Sequence, residues 1–283
     1  MIKKLFGILA LSLSCSVAVA AEAGYPLESA PNRITDMPAL QNGAKLFVNY
    51  CLNCHSANSM RYNKLTEIGL TDEEIRKNLL FTGEKVGDLM TIAMTPADGK
   101  QWFGATPPDL SVTARALSTN LGPSGTDYIY TYLRTFYRDV NRPTGWDNLV
   151  FPSVGMPHAL WQRQGHTQVE RTTVAEAVGA DGKPSWVRTV TNFDQYGFSS
   201  SKQETLAADY KGGASESVKY TPVNASQAAE FASDVADLSN FMQWMAEPVQ
   251  NTRKKIGYAV IGFLLIFFFV AWRLNKAYWR DIK

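Results

Sequence analysis

The chain has 283 residues, with 28 Lys or Arg, 26 Asp or Glu, a formal net charge of +2 and three cysteines. The basic residues concentrate at the two ends, and residues 21–252 keep 19 basic and 25 acidic side chains, a formal charge of −6. An acidic segment disfavours nucleic acid as a partner and favours a cationic one.

The N-terminus predicts a secretory signal peptide over residues 1–20. Lys3 and Lys4 precede an apolar run, and small residues just before position 21 supply a cleavage site. Cys15 lies inside this run and is removed with it, and the alternative of a lipoprotein cysteine is the weaker interpretation. Export places the mature chain in an oxidising compartment.

The segment before Cys51 is predicted to be a helix, because apolar residues recur there at helical spacing. These residues are Leu40, Ala44, Phe47 and Tyr50. Gly43 costs such a helix roughly 1 kcal/mol relative to alanine, which indicates the close approach of another helix. The candidate partner is a helix within Ala232–Pro248, with Pro248 ending it.

Cys51 and Cys54 stand two residues apart, and His55 follows at once. This pattern predicts covalent attachment of c-type haem, in which each thiol adds across one vinyl group and the imidazole ligates the iron. A zinc site would need about two more Cys or His ligands at similar spacing. A thioredoxin-type dithiol would follow a strand, whereas a helix is predicted here. A chance cysteine pair is the remaining alternative.

An acidic cluster follows the haem motif at Glu67, Asp72, Glu73 and Glu74. Its charge predicts a docking surface for a basic electron acceptor. The competing interpretation is that Thr71 caps a helix and the acids occupy its first turn, where negative charge is favoured.

The middle of the chain predicts helices followed by a β-hairpin. In Thr106–Leu117, Asp109 or Ser111 would cap a helix running through Arg115. An aromatic-rich helix follows over 125–138. The segment 167–196 carries β-type residues on both sides of an Asp-Gly turn, which predicts a hairpin. The small and polar segment Ser199–Ser217 predicts a surface loop.

A haem that only carries electrons needs a sixth iron ligand, and methionine or histidine supplies it. Met156 is favoured because Pro152 and Pro157 stiffen its loop, but His158 and an open site remain alternatives. The full set of candidates is Met60, Met90, Met94, Met156, His158 and His166.

The apolar run Ile256–Trp272 predicts a membrane-spanning helix, because its 17 residues are uncharged and have basic flanks. With the signal peptide, it divides the chain into an exported domain over 21–252 and an anchor with a short tail over 253–283. The domain would lie on the periplasmic side of the inner membrane, with the C-terminus in the cytoplasm.

Several motifs together resemble the cytochrome c1 family, the haem subunits of the cytochrome bc1 complex. They are "CLNCH" at 51–55, "MRYNKL" at 60–65, "TPPDLSVTARA" at 106–116, "FPSVGMP" at 151–157 and "FMQWMAEPVQNTRKKIG" at 241–257. The sequence departs from the family in "PHALW" at 157–161 and in the connection after His55.

The resemblance implies a mainly α fold, a class I cytochrome c-like haem domain with inserted loops, and one C-terminal transmembrane helix. It implies one covalently bound haem c, with Cys51 and Cys54 as attachment points and with His55 and Met156 as axial ligands. Residues implied near the haem are Arg115, beside a propionate, and Pro107 and Pro108, along the ring.

The function implied is electron transfer, not catalysis by the isolated chain. Electrons would come from the Rieske iron–sulfur protein and pass to a cytochrome c, with cytochrome b in the same membrane complex. Two alternatives remain open: a free-standing, membrane-anchored cytochrome c shuttle, and a haem enzyme with an open sixth position.

Overall fold

The computed structural model describes residues 24–178, 184–207 and 209–280. The predicted signal peptide and the Asp-Gly turn at 181–182 lie outside these residues. The helices are α1 (Met37–Leu46), α2 (Asp72–Asn78), α3 (Pro96–Phe103), α4 (Thr113–Ala116), α5 (Gly125–Arg134), α6 (Trp161–Gln164), α7 (Ala225–Ala246) and α8 (Gln250–Tyr278). The strands are β1 (Ala57–Arg61), β2 (Leu89–Met90), β3 (Phe136–Arg138), β4 (Trp146–Asn148), β5 (Thr167–Val178), β6 (Pro184–Phe193), β7 (Ser199–Thr205) and β8 (Ser215–Pro222).

Helices α1 and α7 pack closely at Gly43, as predicted. A Cβ atom added there would lie 2.3 Å from the carbonyl oxygen of Asp237 and 2.6 Å from the Cβ of Phe241. Such distances leave no room for a side chain, so glycine is required by the contact. The two helices and α5 surround the main core, whose fully buried members include Leu40 and Phe47.

Helix α7 begins and ends where local sequence signals permit. The Asn224 side chain accepts hydrogen bonds from the backbone N–H groups of Ser226 and Gln227, which caps the first turn. The helix ends at Ala246, two residues before Pro248, which has no N–H to continue it. The predicted helix is therefore confirmed and extends further towards its N-terminus.

The predicted hairpin is part of a larger, four-stranded antiparallel sheet with the order β7-β6-β5-β8. Strands β5 and β6 pair from Val169 opposite Phe193 to Val178 opposite Pro184. About 42% of the structure is helix and about 20% is strand, so helix predominates as expected. The β-structure is more extensive than the single predicted hairpin.

The prediction of a surface loop over Ser199–Ser217 is wrong at both ends. Ser199 begins β7 opposite Phe193, and Ser215 begins β8 opposite Val174. The side chains of β7 are exposed on both faces, so the strand has no alternation of apolar and polar residues to reveal it. Pairing with the open edge of β6 supplies the backbone hydrogen bonds instead.

The aromatic-rich helix predicted over 125–138 is also shorter than expected. Helix α5 ends at Arg134, and Phe136–Arg138 forms β3, which pairs with β4 in a separate two-stranded sheet. The side chain of Asn148 in β4 donates to the carbonyl oxygen of Tyr132 at 2.7 Å, so this short sheet holds the end of the helix.

Helix α8 is long and apolar enough to cross a membrane, and none of its residues is buried. It begins at Gln250, three residues before the predicted boundary of the anchor, and covers the whole predicted span. Its N-terminal turn carries Arg253 and Lys254, which suit the lipid headgroup region.

Candidate functional site

The cysteine–histidine motif occupies a tight turn at the end of α1. A π-helical turn, Phe47–Cys51, continues α1 into the motif, and buried Leu52 anchors it in the core. The backbone N–H groups of Cys54 and His55 both donate to the carbonyl oxygen of Cys51, at 3.1 and 2.9 Å. Two free thiols and one imidazole therefore lie within a single turn.

The His55 ring is oriented by the chain segment that contains the two prolines. Its Nδ1 lies 2.7 Å from the carbonyl oxygen of Pro108, which can only accept, so Nδ1 carries the proton and donates. The lone pair is then on Nε2, the arrangement found in metal-binding histidines. Burial lowers the pKa of His55, against the opposing effects of the Pro108 hydrogen bond and the charge of Asp109.

The segment after Pro108 is fastened to β1, on the other side of the haem motif. The Asp109 carboxylate accepts from the N–H of Asn58 at 2.7 Å, and the Ser111 hydroxyl accepts from the N–H of Ser59 at 2.9 Å. These bonds correct the prediction that Asp109 or Ser111 caps α4. Val112 occupies the cap position without a side-chain bond, because both polar side chains face β1.

Met156 lies in a loop that strand β4 holds in place. The buried carboxylate of Asp147 accepts from the N–H of Ser153 at 2.7 Å. Gly155 passes so close to α3 that an added Cβ would lie 2.9 Å from the carbonyl oxygen of Phe103. Met156 itself is half-buried, and the Tyr132 hydroxyl donates to its sulfur at 3.4 Å.

The alternative ligand His158 is buried within an aromatic cluster. Its ring stacks on Phe136 at 4.6 Å and meets the edge of Trp146 at 5.0 Å. Burial lowers the pKa of His158 to about 3, so the ring is neutral at physiological pH. An imidazole enclosed in this way would have to leave its cluster to reach a metal.

The remaining sixth-ligand candidates differ in burial. Met60 and Met90 are buried in the main core, whereas Met94 is half-buried. His166 is exposed, and its Nδ1 lies 3.0 Å from the carbonyl oxygen of Gln195. Among these residues, only Met94 shares the partial exposure of Met156.

Arg115 contacts the connection between α7 and α8. Its guanidinium pairs with Glu247 at 3.3 Å, and Glu247 also accepts from Arg253 at 3.1 Å. Arg115 is exposed. Pro107 is half-buried against Gly99, and Pro108 is exposed.

Two side chains at this site were missed by sequence reasoning. Tyr132 was assigned only to an aromatic helix, and Glu247 only to a helix end. The positions of aromatic residues in "YIYTYLRTFYR" do not reveal which ring faces Met156. The ion pair of Glu247 depends on α4 reaching α7, which no local pattern encodes.

These donors fit a covalently bound haem. Two thiols share one turn with an imidazole whose Nε2 is unprotonated, and a half-buried thioether lies in a separate, stiffened loop. Within the described part of the chain, no three His, Cys, Asp or Glu side chains gather as a metal-ion site, so zinc lacks its remaining ligands there.

Comparison with known proteins gives a consistent family. A model described as the Cytochrome C1 family matches residues 29–170 and 198–282. The chain is 36% identical to cytochrome c1 of Allochromatium vinosum, over 96% of each chain. It is 38% identical to a protein of Nitrosomonas europaea named ammonia monooxygenase gamma subunit, over 98% of this chain and 97% of that one. Cytochrome c1 of Rhodospirillum rubrum is 27% identical over 88% of this chain and 83% of its own.

Proposed function

Because the chain belongs to the cytochrome c1 family, we propose that Cys51 and Cys54 hold its haem c and that His55 and Met156 are the axial ligands. The chain is the haem subunit of a cytochrome bc1 complex, and proteins of this family bind haem c covalently. When bound, haem c supplies the one-electron couple of its iron.

The observation that carries the assignment is the hydrogen bond from His55 Nδ1 to Pro108. It fixes the tautomer with the free lone pair on Nε2 and holds the ring in one orientation. An outer contact of this kind sets the orientation of an iron-binding histidine and strengthens its donation. Pro108 would thus serve twice, through its carbonyl group and, together with Pro107, by lining the haem.

Met156 is the favoured sixth ligand. Its sulfur is half-buried and its loop is held by Asp147, whereas His158 is enclosed by aromatic rings. Arg115 would turn from Glu247 towards a haem propionate, where a guanidinium forms strong charge-assisted hydrogen bonds.

The role of the chain is to carry electrons within the membrane complex that contains cytochrome b. We propose that it accepts electrons from the Rieske iron–sulfur protein, passes them to a cytochrome c, and catalyses no reaction alone. The domain would lie on the periplasmic side of the inner membrane, with α8 as the anchor and the C-terminus in the cytoplasm.

The test compares Met156→Leu with Met94→Leu in the purified membrane complex. Met156→Leu should retain covalent haem, lose the weak sulfur-to-iron absorption band, lower the reduction potential and admit carbon monoxide. Met94→Leu should leave all four unchanged. The reverse result would move the ligand to Met94, and an effect from neither variant would direct the test to His158.

Recovery of the chain together with a b-type cytochrome separates the complex from a free-standing shuttle. A haem enzyme with an open sixth position would bind carbon monoxide without any substitution. Wild-type protein that binds carbon monoxide readily would therefore exclude Met156 as a permanent ligand.

A further inference from the structure

We propose that Arg163 is a positioning residue that fastens the loop carrying Met156 to the turn carrying Cys51 and His55. The inference rests on the axial ligands proposed above. Those ligands belong to segments about a hundred residues apart in the chain, so their spacing depends on tertiary contacts. Arg163 lies seven residues after Met156 and contacts the residue directly before Cys51.

The contact with the haem-motif segment uses both the hydroxyl and the ring of Tyr50. The Nε of Arg163 donates to the Tyr50 hydroxyl at 3.2 Å, and the guanidinium carbon lies 5.6 Å from the centre of the ring. Tyr50 belongs to the π-helical turn that ends at Cys51. A shift of Arg163 relative to Tyr50 therefore changes the distance between the two ligand segments.

A second contact fixes the guanidinium from the other side. Its Nη1 pairs with the carboxylate of Asp234 in α7, which also accepts from the side-chain amide of Asn42 in α1. Arg163 thus bridges α6, the haem-motif turn and α7. A planar guanidinium with several donors suits this role, since it makes directed contacts to two partners at once.

The loop between Met156 and Arg163 is too firmly held to absorb a shift. The side-chain amide of Gln164 donates to the carbonyl oxygen of Phe136 at 2.7 Å, in a buried position. The Phe136 ring packs with Val154 and Met156 and stacks on His158. Movement at Arg163 would therefore be passed to Met156 instead of being taken up by a flexible loop.

A partly exposed ion pair contributes little to global stability, so the expected phenotype is local. Loss of Arg163 should weaken the iron–sulfur bond and change the melting temperature little. This expectation separates a positioning role from a purely structural one.

The experiment uses the membrane complex with Arg163→Gln. We expect a weakened sulfur-to-iron band, a lowered potential and a larger fraction of ferrous haem that binds carbon monoxide. Arg163→Lys should recover part of the band. It keeps the positive charge near Asp234 but loses the planar guanidinium that contacts Tyr50 and Asp234 together. Tyr50→Phe removes a single hydrogen bond and should change the band, the potential and carbon monoxide binding in the same direction. If the Arg163→Gln protein incorporates no haem, Tyr50→Phe provides the test in its place.

Arg33→Gln is the matched control. Arg33 also pairs with α7, through Asp237, and has a similar side-chain exposure of 31% against 36% for Arg163. It belongs to neither ligand segment, so its loss should change the melting temperature about as little as the loss of Arg163 does and leave the band intact.

Two outcomes overturn the inference, and they differ in what else fails. If Met156→Leu abolishes the band while Arg163→Gln and Tyr50→Phe behave like Arg33→Gln, the fastening is wrong and the ligand assignment stands. If Met156→Leu keeps the wild-type band, the ligand assignment is wrong and the inference falls with it.

Discussion

The hydroxyl of Tyr132 donates a hydrogen bond to the sulfur of Met156, with 3.4 Å between the two atoms. Tyr132 lies in the last turn of α5, and its ring meets the edge of Phe136 at 5.1 Å. Burial raises the pKa of Tyr132, so the hydroxyl keeps its proton and stays a donor over the physiological range. The contact places a fixed dipole beside the proposed iron ligand.

Tyr132→Phe should therefore lower the reduction potential. A hydrogen bond to a thioether withdraws electron density from the sulfur and favours the reduced iron, so its removal favours the oxidised form. The measurement is a redox titration of the purified complex. Tyr128→Phe is the control, because Tyr128 stacks on Tyr132 at 6.1 Å and makes no bond to Met156. Equal potentials in the wild type and Tyr132→Phe would contradict the expectation.

Gly43→Ala should destabilise the domain by about 1–3 kcal/mol, the usual cost of overpacking a well-packed contact. The added methyl group would collide with Asp237 and Phe241, and backbone atoms on α7 cannot turn aside. Thermal unfolding of the purified complex measures the effect. Gly87→Ala is the control, since nothing lies within 4 Å of its added Cβ. Similar melting temperatures for the two variants would show that α1 and α7 leave room for a methyl group at position 43.

The pH dependence of stability should depend in part on Glu247. The hydrogen bond from Arg253, followed by other effects including the charge of Arg115, lowers the pKa of Glu247. A lowered folded-state pKa stabilises the fold above the unfolded value of about 4.3, and this stabilisation is lost as pH falls through the folded value.

Glu247→Gln should therefore lower the melting temperature at neutral pH and flatten its fall below about pH 5. Arg253→Gln should flatten part of the same region, and the double variant should differ little from Glu247→Gln, because Glu247→Gln already removes the ion pairs with Arg253 and Arg115. Melting curves in detergent between neutral and acidic pH provide the measurement. Additive effects of the two substitutions would mean that they act at independent contacts.

The sequence allowed the parts of the fold with strong local signals to be predicted. Gly43 indicated its helix contact, the uncharged run at 256–272 indicated the span, and β-type residues indicated β5 and β6. Strands β7 and β8 were missed because their side chains are mostly polar and exposed, so that only pairing with β6 and β5 defines them.

The candidate site divides in the same way. Cys51, Cys54 and His55 lie within five residues of one another, so spacing alone was enough to predict their chemistry. The roles of Asp109 and Ser111 were misassigned, because a helix cap and a bond to a neighbouring strand require the same residue types. Tyr132 contacts Met156, and Glu247 contacts Arg115; each pair lies more than twenty residues apart in the chain, and only the folded chain brings its members together.

The acidic cluster after the haem motif has local structural roles. The side chains of Thr71 and Glu74 form a reciprocal capping box at the start of α2, with the Thr71 N–H donating to Glu74 at 2.8 Å. Those hydrogen bonds lower the pKa of Glu74. Glu73 pairs with Lys77 at 2.6 Å, and Glu67 pairs with Lys64. The capping interpretation is confirmed, while docking of a basic cytochrome c here stays a prediction.

Two substitutions separate these roles, because one changes charge without the cap and the other changes the cap without charge. Glu73→Lys should slow bimolecular reduction of a basic cytochrome c at low salt and flatten its salt dependence, since exposed charges attract over roughly 8 Å at physiological salt. Thr71→Val should lower the melting temperature, since a lost cap costs about 0.5–2 kcal/mol, and leave the salt dependence unchanged. If Glu73→Lys has the wild-type salt dependence, the acceptor docks elsewhere and α2 is acidic only because its first turn favours negative charge.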